Sequence, residues 1–205
     1  MEYELKSARY LARETLARAV GSGDTVVDAT MGNGHDTLFL SEMVGKDGKV
    51  YAFDIQPAAI ASTERLLKEY GISGRAELIL AGHERMAEFV KEPARAIVFN
   101  LGWLPGGDHS VTTRWETTRT AVESALSLLQ PMGVLIICVY PGHPEGGVER
   151  EQLTKMLTGL SNKEYNVLHE RFLNATEGAP ECFTIQKHRL IACMSILLII
   201  FISID

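Results

Sequence analysis

Apolar and charged positions alternate along this 205-residue chain in blocks of two kinds. In one kind the apolar residues recur every three to four positions. Leu5, Ala8, Leu11, Ala12, Leu16 and Ala19 share one face of a helix over residues 5–20, which "GSGD" ends. In the other kind a short run is apolar almost throughout, as in "GVLIICVY" (133–140), or at its centre, as in the short strand "TVVDAT" (25–30), the pattern of a buried strand. The beat continues with helices over 36–44, 57–71, 84–90, 115–130 and 148–160, and strands over 49–55, 76–80, 95–101 and 133–140. Pro57 near the start of one helix and Gly71 at its stop mark its ends. Two last strands follow, 165–173 and 181–188. Strands alternating with helices predict an α/β fold: a Rossmann-like, doubly wound, mostly parallel sheet whose ligands bind at the carboxyl ends of its strands.

Composition adds limits. With 46% hydrophobic residues the chain can bury one sizeable core, so residues 1–188 are expected to form a single domain. The net charge of −6 leaves no global basic field to draw in nucleic acid, so an RNA would be held by a local patch. Cys138, Cys182 and Cys193 are scattered and form no CxxC, so neither a disulfide frame nor a metal site is expected. The charged start "MEYELKSARYLARETLARAV" has no signal-peptide core, and a cytoplasmic setting is expected. Residues 189–205 form an atypical apolar tail. Its run Leu190–Ile202 is 13 residues long, short of the ~20 a membrane span needs, so no stable membrane association is expected.

The chemistry starts at "VVDATMGNGHDT" (26–37), a glycine-rich turn between a strand and a helix. It has three readings: a bare turn, a dinucleotide site or an S-adenosylmethionine site. The dinucleotide fingerprint lies on Gly32, Gly34 and Thr37 with its third glycine missing, and Asp28 would repel a pyrophosphate. S-adenosylmethionine carries no phosphate, and its cationic end suits Asp28 while its carboxylate suits the N–H groups at a helix start. Asp54 ends the next strand 26 positions later, where a carboxylate accepts both ribose hydroxyls of either cofactor.

"DATMGNGHDTLFL", "FDIQ", "NLGWLPGGDHS" and "VYPGHPEGG", in this order over residues 5–188, resemble the class I S-adenosylmethionine-dependent enzymes long labelled rRNA methylases. Members of that family methylate the 5-aminomethyl group of the wobble uridine of bacterial tRNA. The resemblance implies S-adenosylmethionine as cofactor and the anticodon region of tRNA as partner; a homodimer is compatible with it. The cofactor is expected against Asp28, Thr30, Gly32, Asn33, Gly34, His35, Asp36 and Thr37, then Asp54 and Gln56, then His83 and Glu84. The family pattern has tyrosine where Trp103 stands and lysine where His109 stands, so a permanent cation is replaced by one that titrates near neutrality.

Asn100 ends the fourth strand in "NLGW", where amino-methylating relatives acting on DNA carry [DN]-P-P-[YFW]. The asparagine and the aromatic match and the prolines do not, which predicts a differently shaped acceptor. Asn100 and the carbonyls after it are expected to orient an amine, Asp108 or His109 to take its proton, and Trp103 to stack on the uracil. Leu101, Gly102, Pro105, Tyr140 and His143 complete the expected substrate wall. Cys138 sits inside an apolar strand, which argues against uracil C5 methylation, since that needs an exposed cysteine nucleophile. The rival readings are an rRNA or small-molecule methyltransferase, an NAD-dependent oxidoreductase, and a cofactor-binding partner protein without activity.

Overall fold

The structure, a computed structural model, describes residues 7–189. Seven strands of the described residues form one sheet: β1 (Thr25–Asp28), β2 (Lys49–Asp54), β3 (Ala76–Leu80), β4 (Ala94–Asn100), β5 (Leu129–Val139), β6 (Tyr165–Glu170) and β7 (Glu181–Lys187). Their order is β3-β2-β1-β4-β5-β7-β6. The pairs from β3 through β5 are parallel; β7 runs antiparallel to β5, and β6 antiparallel to β7. The mostly parallel sheet expected from the alternation is therefore present; among the described residues, β7 is the strand that runs against the others. The winding reverses between β1 and β4, and at such a switch point the loops diverge and leave a crevice.

Among the described residues six α-helices cover the two faces: α1 (Ala8–Ala19), α2 (His35–Val44), α3 (Pro57–Glu69), α4 (Met86–Phe89), α5 (Trp115–Leu128) and α6 (Pro144–Thr158). Alternate residues of each central strand point to opposite faces. Val26, Val50, Val98 and Ile136 pack with Ala12 and Leu16 of α1 and Leu40 of α2. Val27, Phe53, Phe99 and Ile137 pack with Met86, Val122 and Leu153 from α4, α5 and α6. Burial on both faces explains why these strands read as unbroken apolar runs. β6 is the sheet edge, and its four central residues are exposed.

Several boundaries shift by a few residues from the expected ones, and three of the shifts have a clear local cause. α5 stops at Leu128 instead of Gln130, because Gln130 precedes Pro131, which disfavours helical backbone there. β5 accordingly begins at Leu129, and a bulge opposite Ala94–Ala96 absorbs the irregular turn at Met132, whose φ is 65°. α6 begins at Pro144, not Val148. His143 is its N-cap, with Nδ1 accepting the Gly146 N–H at 3.2 Å, and Pro144 takes the first helical position. His143, expected in the substrate wall, thus stands at the first turn of a helix. The apolar run Leu190–Ile202 lies outside the described residues; among those described, no helix is long and apolar enough to cross a membrane.

β1 ends at Asp28, which is fully buried. Its Oδ2 accepts the Thr37 hydroxyl at 2.7 Å and its Oδ1 the Thr30 N–H at 3.2 Å. Burial, helped by the nearby charge of Asp36, pushes its carboxyl up to about 7. A carboxyl raised in the folded state holds its proton while the unfolded chain has already lost it. Stability attributable to this group therefore falls as pH rises from the ordinary carboxylate range towards about 7, and is level above that. Asp28→Asn keeps an acceptor and removes the charge. Its Tm, followed by circular dichroism from pH ~5 to ~8, should gain on the parent protein as pH rises. A constant gap between the two would mean that Asp28 does not titrate in this range.

Candidate active site

A cleft of about 1070 Å³ opens along the carboxyl ends of β1, β2, β4 and β5. Thr30, Gly32, Asn33, His35 and Asp36 line it from the loop after β1; Asp54 and Gln56 line it from the end of β2. His83 and Glu84 follow β3, and Asn100–Pro105 and then Thr112–Arg114 form the opposite wall with Tyr140 and His143. Most of the expected site residues are thus brought together. Asp28, Gly34 and Thr37 are not among the lining residues. They support the floor: Asp28 and Thr37 bond each other, and Gly34, at φ 82°, caps α2 against α3. A Cβ at Gly34 would stand 2.7 Å from Thr63 Oγ1, so close packing demands this glycine.

On the β1–β2 side, Asp54 accepts the Gly32 N–H at 3.0 Å and the Gln56 N–H at 2.9 Å, one on each oxygen. A carboxylate oxygen can accept more than one hydrogen bond. Burial raises its carboxyl above the ordinary value even with these N–H groups favouring the charge. Thr63 donates to the Gly32 carbonyl at 3.2 Å, so the glycine loop is held from both sides. His83 is buried, its ring 5.5 Å from that of Phe99. Burial lowers its pKa, which makes it a neutral part of the wall.

On the β4–β5 side, the Asn100 backbone N–H donates to Thr30 Oγ1 at 2.7 Å, and its side-chain Nδ2 donates to Asp36 Oδ2 at 2.9 Å. Asn100 Oδ1 is buried and has no partner. The other oxygen of Asp36 receives Arg9 Nη2 at 3.1 Å, Arg13 Nε at 2.9 Å and Arg13 Nη2 at 2.7 Å. Burial alone would raise the Asp36 carboxyl, but the two guanidiniums outweigh it and hold the group below its ordinary value. Tyr140 is raised by burial to about 12, so it stays a phenol.

The segment after Asn100 is pinned rather than loose. Gly102 donates to Thr113 Oγ1 at 2.8 Å and accepts the Thr113 N–H at 3.1 Å. Thr113 donates to Glu149 Oε2 at 2.8 Å, and Thr118 to Glu149 Oε1 at 2.5 Å. Glu149 on α6 is fully buried, and burial raises its carboxyl in spite of both hydroxyls. Trp103 stacks on His109 at 4.3 Å and lies 4.4 Å from the tilted ring of His143. An RNA base would have to share Trp103 with these two rings. Asp108 and His109, expected to take the proton, are exposed and do not line the cleft. Asp108 accepts the Ser110 N–H at 2.8 Å, and that bond holds its carboxyl below the ordinary value, where it is a weak base.

Four residues that shape the site escaped the sequence reading: Arg9, Arg13, Thr113 and Glu149. The spacing of Arg9 and Arg13, four apart on one helical face, was the available signal for the first two. Nothing local to Thr113 or Glu149 announces a contact 36 positions apart. Among the described residues no cluster of His, Cys, Asp and Glu could hold a metal ion.

Comparison with known proteins agrees with this geometry. The family model described as Putative rRNA methylase matches residues 50–186. The chain is 40% identical over 179 residues to a chloroplastic tRNA (mnm(5)s(2)U34)-methyltransferase of Arabidopsis thaliana; the match covers 82% of this chain and 65% of that protein. The crystal structure of a putative rRNA-methylase from Clostridium thermocellum superposes with a TM-score of 0.88 at 39% identity, covering 90% of this chain and all of that one. A putative methyltransferase from Streptococcus mutans, solved in complex with S-adenosylhomocysteine (SAH), gives 0.82 at 34% identity, covering 90% and 99%. The strand order, the crevice at the switch point and these matches together place the chain in the Putative rRNA methylase family, with the Rossmann-like fold of class I methyltransferases.

Proposed function

We propose that the protein uses S-adenosylmethionine to N-methylate the 5-aminomethyl group of the wobble uridine of a tRNA. The observation that carries this reading is the unpartnered, buried Oδ1 of Asn100 in the wall of the cleft. Asp36 is ionised and can only accept, so the Asn100 Nδ2 must face it and Oδ1 is the acceptor left over. A buried acceptor without a donor is costly, and an amine N–H supplies what it lacks. The printed name of the Arabidopsis relative supports the substrate: it is a methyltransferase of a wobble-uridine amine.

The donor half fits S-adenosylmethionine better than a dinucleotide. Asp28, Asp36 and Asp54 lie on or beneath the glycine loop, a poor place for a pyrophosphate. The Asp54 carboxylate, at the end of β2 in the cleft wall, suits ribose hydroxyls. When bound, S-adenosylmethionine supplies an electrophilic methyl group; the amine nitrogen forms the new N–C bond, and the S–CH₃ bonding pair leaves with sulfur. The chain's own contribution is to hold the amine through Asn100, to exclude water with the pinned 101–113 segment, and to aim the nitrogen. With Asp108 and His109 on the exposed rim, the amine's proton passes to solvent, and only the neutral amine has a lone pair to react.

Asp54→Ala should weaken S-adenosylmethionine binding at least ~10-fold, since it removes charge-assisted hydrogen bonds and loosens the Gly32 backbone. Isothermal titration of the folded variant measures this, and undiminished affinity would take Asp54 out of the site.

Asn100→Ala should lower kcat about 100-fold with little change in cofactor affinity, the scale on which a misplaced reacting atom acts. With anticodon stem-loop RNA bearing 5-aminomethyl-2-thiouridine, the parent rate should rise with pH as the ammonium deprotonates. Normal turnover with lost cofactor binding in Asn100→Ala would reassign the 100–109 block to the donor half.

A further inference from the structure

We propose that Asp36 is a positioning residue for the acceptor, clamped by Arg9 and Arg13 so that the Asn100 carboxamide has a single orientation. The proposal rests on the assignment of Asn100 to the acceptor, and it adds what makes that asparagine competent. A carboxamide has two ends of nearly equal shape and opposite hydrogen-bonding sense. Turned over, Asn100 would present an NH₂ to an amine that also needs to donate, and the site would repel its substrate. Nothing in the backbone around Asn100 prevents the flip, because its N–H bond to Thr30 is indifferent to it.

The two oxygens of Asp36 divide the task. Oδ1 takes all three guanidinium hydrogen bonds, and Oδ2 takes only the Asn100 Nδ2. The side chain of Asp36 is 9% exposed, so water does not compete effectively for either oxygen. Arg13 also donates to the His35 carbonyl at 3.0 Å and lies 5.0 Å from the ring of Phe39, so it is anchored to α2 independently of Asp36. The clamp therefore crosses from α1 to α2 and reaches the end of β4. It explains why a helix that precedes the cofactor turn in sequence contributes Arg9 to the cleft wall.

The charge of Asp36 is what the proposal depends on, since only an ionised carboxylate lacks a donor. Asp36→Asn keeps size and shape but introduces an NH₂ that tolerates either orientation of Asn100. Two readouts test this. The first is the Asn100 side-chain amide pair in ¹⁵N-correlated NMR, assigned by its absence in Asn100→Ala. Asp36→Asn should move this pair and speed its exchange with solvent. The second is a double-mutant cycle on turnover of the aminomethyl anticodon stem-loop. Asp36→Asn should cut kcat ~10-fold in the parent background and change it less than ~2-fold in the Asn100→Ala background, the non-additivity of residues acting through one contact.

Should Asp36→Asn fail to fold, Arg13→Gln loosens the clamp without touching the amide contact, and both readouts should shift in the same direction by less. An amide pair unmoved in either folded variant, or equal losses of kcat in both backgrounds, overturns the proposal. If the parent protein leaves the aminomethyl RNA unmethylated while the amide pair still answers to Asp36, the substrate reading fails and the positioning of Asn100 stands.

Discussion

The structure depends on how the chain leaves β1. That strand is only four residues long and lies between β2 and β4, both of which continue past it. The departing loop is held on both sides: Ala29 donates to the Val98 carbonyl at 2.8 Å, and Met31 to the Phe53 carbonyl at 2.9 Å. Thr30 then receives the Asn100 N–H. Backbone groups that would be orphaned at a buried strand end are thereby satisfied, and the loop is fixed relative to both neighbouring strands. Every later feature of the cleft inherits its position from this arrangement, including the carboxylate of Asp54 and the side chain of Asn100.

Buried carboxylates do different work at different depths. Asp28 has only neutral donors and drifts towards its protonated form, so it acts as a polar peg under the loop. Asp36, with two guanidiniums, remains charged despite being almost enclosed. Glu149 receives only hydroxyls and is raised. Burial acts on all three in the same direction, and the nature of the donor decides the outcome.

The fold was legible in the sequence because its central strands are buried on both faces and its helices on one, which gives two distinct periodicities. The start of α6 was less legible. "GHPEGG" has turn composition, and a histidine N-cap followed by proline is recognisable only once the direction of the chain is known. The carboxylate of Asp54 and the loop around Gly32 could be placed because a strand end and its first turn are local features. The placement of Asp108 and His109 could not be read, since nearness in sequence to Asn100 says nothing about which way an intervening glycine, at Gly102 with φ 132°, turns the chain. Arg9 and Arg13 were hidden for the opposite reason: their target lies more than 20 residues away and on another helix.

One contact joins the two walls of the cleft across its mouth. Asn33 of the glycine loop donates through Nδ2 to the Pro105 carbonyl at 3.2 Å, and Leu104 packs close to Gly32. Pro105 is exposed and Asn33 half-buried, and a neutral hydrogen bond of this kind contributes only ~1 kcal/mol net. Such a bridge can part and re-form on every cycle at small cost. A ligand that passes between the two walls would therefore have to displace a contact of only ~1 kcal/mol at this point of the rim.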